Sequence, residues 1–363
     1  MALRTVGAMA RSIVAFRKRP AGKRAQISAA ARQARDGAVY AADMKFRTLG
    51  RTGVMVSEVG QGTWGMGGKN WKGSSDDDAV KALQAGVNLG LNFIDTALAY
   101  GDGHAERLIP AALGETRHDI VIATKVPPLN RLWPAKPGVG IGEVFPCHHI
   151  LQSTETSLRN LAVDRIDLQQ LHVWNEEWVE QHEWRQAFET LKASGKVRFV
   201  GVSVNDHAPN SVLSLVQTGL VDSIQVIYNI FDQTPEDRLF EECRHLDVGV
   251  IARVPLDEGA LTGSVTRDTI FPEGDFRSFY FRGDRREQIH NRICALRADL
   301  GDLDLATTAL RFCLSNPDVS TVIPGMRTLK HVQMNLAASA LGPLATDTLR
   351  LLRRHAWPRN FAT

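Results

Sequence analysis

Cysteine is scarce in this chain, and where it falls excludes more than its number does. Cys147, Cys243, Cys294 and Cys313 are widely separated and form no CxxC pair. Neither a disulfide framework nor a structural zinc site is therefore expected, and a reducing compartment is. Long apolar runs are missing too. Nothing approaches the roughly 18 consecutive apolar residues that cross a bilayer, so we expect a soluble protein without a membrane partner. Charge of one sign is also lacking: the formal net charge is +3 over 363 residues, and nine Lys or Arg precede the first acid, Asp36, so the excess is largely local. The remainder gives no reason to expect a nucleic-acid partner. No GxxxxGK[ST] phosphate loop occurs, and no metal is expected. Cys147-His148-His149 precedes a predicted helix and reads as its capping region, and His182-Glu183 lacks the second His of HExxH.

What is present is ordinary in bulk and specific in pattern. An apolar content of 44% with 23% charged residues suits a soluble globular enzyme. Residues 1–43 form a basic, Ala- and Arg-rich extension with Arg17-Lys18-Arg19. Its composition resembles an organelle transit segment, but a solvated tail or upstream sequence is the preferred reading, with the folded unit spanning 44–363 and the protein cytoplasmic. FRTLGRTGVMVS (46–57) predicts two short strands around Arg51-Thr52-Gly53, an N-terminal β-hairpin. Gly60, Gly62 and Gly65 then spell GxGxxG. They run into the polar loop GMGGKNWKGSS, however, and the next helix starts only around Ser75–Asp78, so a Rossmann fingerprint is rejected.

From there helices and strands alternate. Helices are predicted near 76–89, 104–113, 148–161, 180–194, 209–217, 236–246, 285–299 and 304–315, with extra C-terminal helices near 328–340 and 343–354. Strands are predicted at 91–94, 119–124, 166–171, 197–203, 223–227, 248–252 and 319–323, after a first one near Gly60. This alternation predicts an α/β chain closed as a (β/α)8 TIM barrel, and the proline-rich loop 126–147 is long enough to wall or cover its mouth.

The chemistry collects at the ends of these strands. In GLNFIDTALAYG (90–101) the acid Asp95 ends a strand and Tyr100 follows in its loop, while Lys125 ends IVIATK and His172 ends DLQQLH. A parallel barrel brings successive strand ends to one face. A phenol with an ordinary pKa of about 10 needs a neighbouring cation before it exchanges protons usefully at neutral pH, and Lys125 is available.

At this point the chain resembles the aldo-keto reductase superfamily, from Met44 to near the C-terminus. The resemblance rests on GTWG (62–65), NFIDTALAYG (92–101), ATK (123–125), DLQQLH (167–172), GKVRFVGVS (195–203), Gln225 in IQVIYN, PLDEGALTG (255–263), IPGMR (323–327) and Asn335, in family order. It implies reduction of a small-molecule aldehyde or ketone with NADP(H), NAD(H) being the alternative. Tyr100 would be the general acid, Lys125 would lower its pKa, Asp95 would hold Lys125, and His172 would orient the carbonyl. By the same resemblance the cofactor would meet Gly62, Thr63 and Trp64, Pro255 and Leu256, with Ser203 and Gln225 on the nicotinamide carboxamide. Gly325, Arg327 and Asn335 would hold the adenosine end, with Arg327 facing a 2′-phosphate and His331 beside it.

Departures from the family bear on detail. Val204 follows Ser203 where relatives commonly have Asn, which puts a contact from Asn205 in doubt. Arg253 stands where relatives often carry an aromatic beneath the nicotinamide; a planar guanidinium can stack there, or turn away to pair with Asp257 or Glu258. Trp64, Trp133 and Trp174 are expected to line the substrate pocket. The resemblance also allows a non-catalytic, cofactor-binding redox sensor, against which the intact catalytic four argue. A metal-dependent hydrolase would need ligand clusters that the strand ends do not supply.

Overall fold

Short runs of buried aliphatic residues, each cut off by a polar or glycine-containing turn, set the architecture. The computed structural model describes residues 44–73 and 75–357; the basic extension at 1–43 lies outside them. After the antiparallel hairpin β1 (Phe46–Thr48) and β2 (Met55–Ser57) come eight strands: β3 (Gln61–Gly62), β4 (Phe93–Asp95), β5 (Val121–Val126), β6 (Ile166–Leu171), β7 (Val197–Ser203), β8 (Ser223–Ile227), β9 (Gly249–Arg253) and β10 (Val319–Val322). They pair in chain order and are parallel throughout. Parallel bridges Val59↔Val322 and Gly62↔Gly325 bring the first strand beside the last, closing the sheet into the predicted (β/α)8 barrel.

The hairpin stoppers the end of the barrel where the strands begin. Its Leu49 and Val56 pack with Phe93, Ala123, Leu168 and Ile251 from the barrel interior. The fit is tight at Gly50, whose φ of +46° is left-handed and where a Cβ would stand 2.2 Å from the Gly249 nitrogen, so only glycine is accommodated. Helices cover the outside, and their apolar faces together with the outward strand residues form the main core.

Helix boundaries follow local chemistry. Ser75 caps Asp76–Asn88 by accepting from the Asp78 amide at 3.1 Å, and three aspartates follow at the positive end of the helix dipole. The helix expected at 209–217 opens instead as a 3-10 turn at Pro209–Val212 before Leu213–Thr218. Pro209 opens that turn, where its missing N–H costs no intrahelical bond. Two short segments, Asp257–Thr262 and Phe276–Tyr280, had no expected counterpart and lie in the long connection after β9. The extra C-terminal helices are Leu329–Leu341 and Thr346–Arg353. Among the described residues no helix is long and apolar enough to cross a membrane, and no group of His, Cys, Asp or Glu is arranged to hold a metal ion.

Candidate active site

Asp95 is the last residue of β4, Lys125 the last but one of β5, and His172 the first after β6, so parallel pairing brings the three to one rim. Tyr100 enters from the turn after β4, which is closed by the Tyr100 amide donating to the Ala97 carbonyl at 2.9 Å. The Lys125 ammonium is fully buried and donates to Asp95 Oδ1 at 2.6 Å, to the Thr96 carbonyl at 2.9 Å and to the Tyr100 hydroxyl at 3.4 Å. Burial works against that charge, but Asp95 and Tyr100 outweigh it and raise the Lys125 pKa. Lys125 is thus a fixed cation beside the phenol.

Tyr100 does not become a phenolate here. Burial raises its pKa, Lys125 opposes the rise and Asp95 adds to it, and the net direction is upward. The expected lowering by Lys125 operates but does not win, so the hydroxyl holds its proton at neutral pH and can donate it. His172 lies edge-on to Tyr100, ring centroids 5.7 Å apart. Burial, Lys125 and Arg253 hold its pKa well below 6.5, so the imidazole is neutral. Its buried Nδ1 has no hydrogen-bond partner among the described residues.

Asp95, Tyr100 and His172, with Lys125 buried behind the phenol, line a cavity of about 1540 Å³ that every residue expected to touch the cofactor also lines. A single small ligand fills roughly 300–1000 Å³, so there is room for a dinucleotide and a substrate together. The same cavity is lined by the start of the helix Leu329–Leu341, capped by Thr328, with Arg327, Lys330 and His331. Backbone amides at a helix start together with the two cations fit a phosphate, while burial, Arg327 and Lys330 lower the pKa of His331 and leave its ring neutral. Gly62 lets the chain pass close to β10, since a Cβ there would stand 2.7 Å from the Ile323 carbonyl. Around Gly325 the space is open. The donor set therefore fits an anionic dinucleotide.

Several expected roles change. Trp174 does not line the pocket; it is fully buried, edge-on to Trp178 and Trp184 at 5.8 and 5.5 Å, and Val173 faces the cavity instead. The large indole removes more apolar surface from water beneath the 176–188 segment than it could at a polar rim. Trp133 does reach the mouth, edge-on to His172 at 5.7 Å, and Trp64 flanks Tyr100 at 6.4 Å. Gln225 lines the cavity but donates its Nε2 to Asp95 Oδ2 at 2.7 Å, so it also braces the acid. Arg253 faces the cavity while its NH2 donates to Asp206 Oδ1 at 2.7 Å and to the Val204 carbonyl at 2.8 Å. Its ionic partner is thus Asp206, and neither Asp257 nor Glu258. The side-chain amide of Asn205 exchanges two hydrogen bonds, both 3.2 Å, with the Ala135 backbone and so ties the Trp133 loop to the end of β7.

Three cavity residues that escaped the sequence stand out among several. Trp71 lies in the aperiodic GMGGKNWKGSS loop, Phe276 in the connection after β9, and Glu258 in PLDEGALTG, read there only as a possible partner for Arg253. Phe276 packs on Trp64 at 4.8 Å, so the aromatic wall is assembled from segments more than 200 residues apart in sequence. The aromatic density of DFRSFY was the one available signal.

Comparison with known proteins agrees with this geometry. Residues 58–356 match the sequence profile of the aldo/keto reductase family. The uncharacterized oxidoreductase YqkF of Bacillus subtilis is 29% identical over 324 residues, covering 86% of this chain and 96% of the relative. A protein of Escherichia coli named NADH-specific methylglyoxal reductase is 28% identical over 320 residues, covering 81% and 93%. In three dimensions the chain is similar to the holo form of an aldo-keto reductase from Bacillus halodurans, with a TM-score of 0.69 at 29% identity, over 87% of this chain and 97% of that one. A profile spanning the whole barrel, and a buried acid and lysine meeting a half-buried tyrosine at its rim, lead to one assignment: this chain belongs to the aldo/keto reductase family.

Proposed function

We propose that the protein is an NADP(H)-dependent oxidoreductase that reduces an aldehyde or ketone to the alcohol, with Tyr100 as the proton donor. The observation that carries this reading is the hydrogen-bonded series Asp95, Lys125, Tyr100 beside a cavity that Arg327 and Lys330 also line. Ser203 and Gln225 would hold the nicotinamide end, and Gly325, Arg327 and Asn335 the adenosine end. When bound, the reduced nicotinamide supplies the hydride. Tyr100 donates its proton to the carbonyl oxygen as negative charge builds there, and Lys125 stabilises the phenolate left behind. Asp95 and Gln225 keep Lys125 in place. Neutral His172 hydrogen-bonds the same oxygen without competing for the proton. Trp64 and Trp133 wall the reacting centre from water.

NADPH is favoured over NADH because Arg327 and Lys330 gather positive charge, with the His331 ring beside them, where a 2′-phosphate would add negative charge, although one relative is named NADH-specific. The test is NADPH oxidation against a panel of carbonyls. Tyr100→Phe should lower kcat by about 10²–10⁴-fold while the NADPH dissociation constant stays near that of wild type. A Tyr100→Phe enzyme with near wild-type kcat would overturn the proton-donor role. Cofactor binding without turnover of any carbonyl would move the assignment to a cofactor-sensing barrel.

A further inference from the structure

Arg327 is held by a residue outside the recognised motifs. Its NH1 donates to the Lys72 carbonyl at 3.0 Å, and its guanidinium lies over the Trp71 ring, 5.2 Å from the centroid. The stem passes against Gly65, where a Cβ would stand 2.8 Å from the Arg327 Cδ. Trp71 is fixed in turn. The Asn70 carbonyl on one side accepts from the Phe276 amide at 2.7 Å, and the Lys72 amide on the other donates to Asp275 Oδ2 at 3.0 Å. A second guanidinium, Arg277, lies over the same ring at 4.4 Å, but Asp275 neutralises it through two hydrogen bonds of 2.8 Å. Arg327 makes no ion pair among the described residues.

We propose that Trp71 is a positioning residue that sets cofactor selectivity by stacking on Arg327 and aiming its N–H edge at the cofactor's 2′-phosphate; this rests on the reading of Arg327 given above. A cation–π contact uses no N–H donor, so with one NH1 donor on the Lys72 carbonyl the ring helps immobilise Arg327 while the remaining guanidinium donors stay available to a phosphate. The half-buried, unpaired charge then lacks only an anion. NADH has no phosphate at this place and gains nothing from the arrangement.

The test is calorimetric titration of NADPH and of NADH into the full-length wild type, Arg327→Ala, Trp71→Ala, Trp71→Phe and the Arg327→Ala/Trp71→Ala double variant, without turnover. Trp71→Ala should lower the preference for NADPH over NADH by about three- to tenfold, Trp71→Phe should restore most of it, and the double variant should lose no more preference than Arg327→Ala alone. If Trp71→Ala does not fold, Gly65→Ala, whose added methyl displaces the Arg327 stem, should produce the same selective loss. Equal weakening of both cofactors by Trp71→Ala, or losses that add in the double variant, would overturn the proposal and show a merely structural ring. An unchanged preference in Arg327→Ala would overturn the phosphate reading of Arg327 and this inference with it. A lost preference there but not in Trp71→Ala would overturn the inference alone.

Discussion

Buried charge is what makes individual residues at this site informative. Asp95 accepts from Lys125 and Gln225 with its two oxygens, and both members of the ion pair are shielded from water. Removing one partner of such a pair leaves the other uncompensated in a dry site, which typically costs about 3–5 kcal/mol. Asp95→Ala should therefore lose stability in urea denaturation as well as activity, whereas Tyr100→Phe should lose activity alone. Glu258 behaves differently. Burial, with Asp257 and Asp206 nearby, pushes its pKa up to about 8, against Arg253 and Arg277, which act in the other direction. Between its ordinary value of 4.5 and about 8 the folded chain holds a proton that the unfolded chain has released, so its contribution to stability falls across that window and is level above it. Above about 8 the new carboxylate charge faces the cavity where an anionic cofactor binds. NADPH affinity should then decline as pH rises past about 8, and Glu258→Gln should remove the decline in titrations at pH 7 and 9.

At the scale of elements, the hairpin and the connections do separate work. The hairpin closes the end of the barrel remote from the site, and Leu49 and Val56 are its fully buried contacts, Leu49 the larger. Truncating Leu49 leaves a cavity beside the closely packed Gly50 and Gly249 backbones. Leu49→Ala should cost about 2–5 kcal/mol, read by chemical denaturation, with kcat per folded molecule unchanged. The β-to-α connections carry the chemistry. Every strand from β4 to β7 was legible, because each is a short, largely β-branched or aliphatic segment bounded by turns and helical periods. The long connection after β9 was not. Its Asp257–Thr262 and Phe276–Tyr280 turns are too short to show a helical period, and Asp257, Glu258 and Gly259 all take positive φ.

Across the whole molecule, the cavity joins segments that touch only because the barrel closes. A ligand that bridges them should stabilise all of them together: NADPH at 100 times its dissociation constant should add about 2.7 kcal/mol. Calorimetry should show a higher Tm, and hydrogen exchange should show slower amides in 60–73, 253–264 and 323–335. Protection confined to one of these would mean that the cofactor does not span the cavity.

By itself the sequence determined the alternation of elements, the hairpin, the four catalytic candidates and the family, because each is written in a local period or a contiguous motif such as NFIDTALAYG. Only tertiary structure decided which way the side chains beyond the strand ends turn. It sent Trp174 into the core, where more apolar surface is buried, and Val173 to the cavity. It gave Arg253 to Asp206, Gln225 to Asp95 and Arg327 to Trp71. Those partners lie far apart in the chain, and pairwise contact across a closed barrel leaves no trace in the spacing of residues along it.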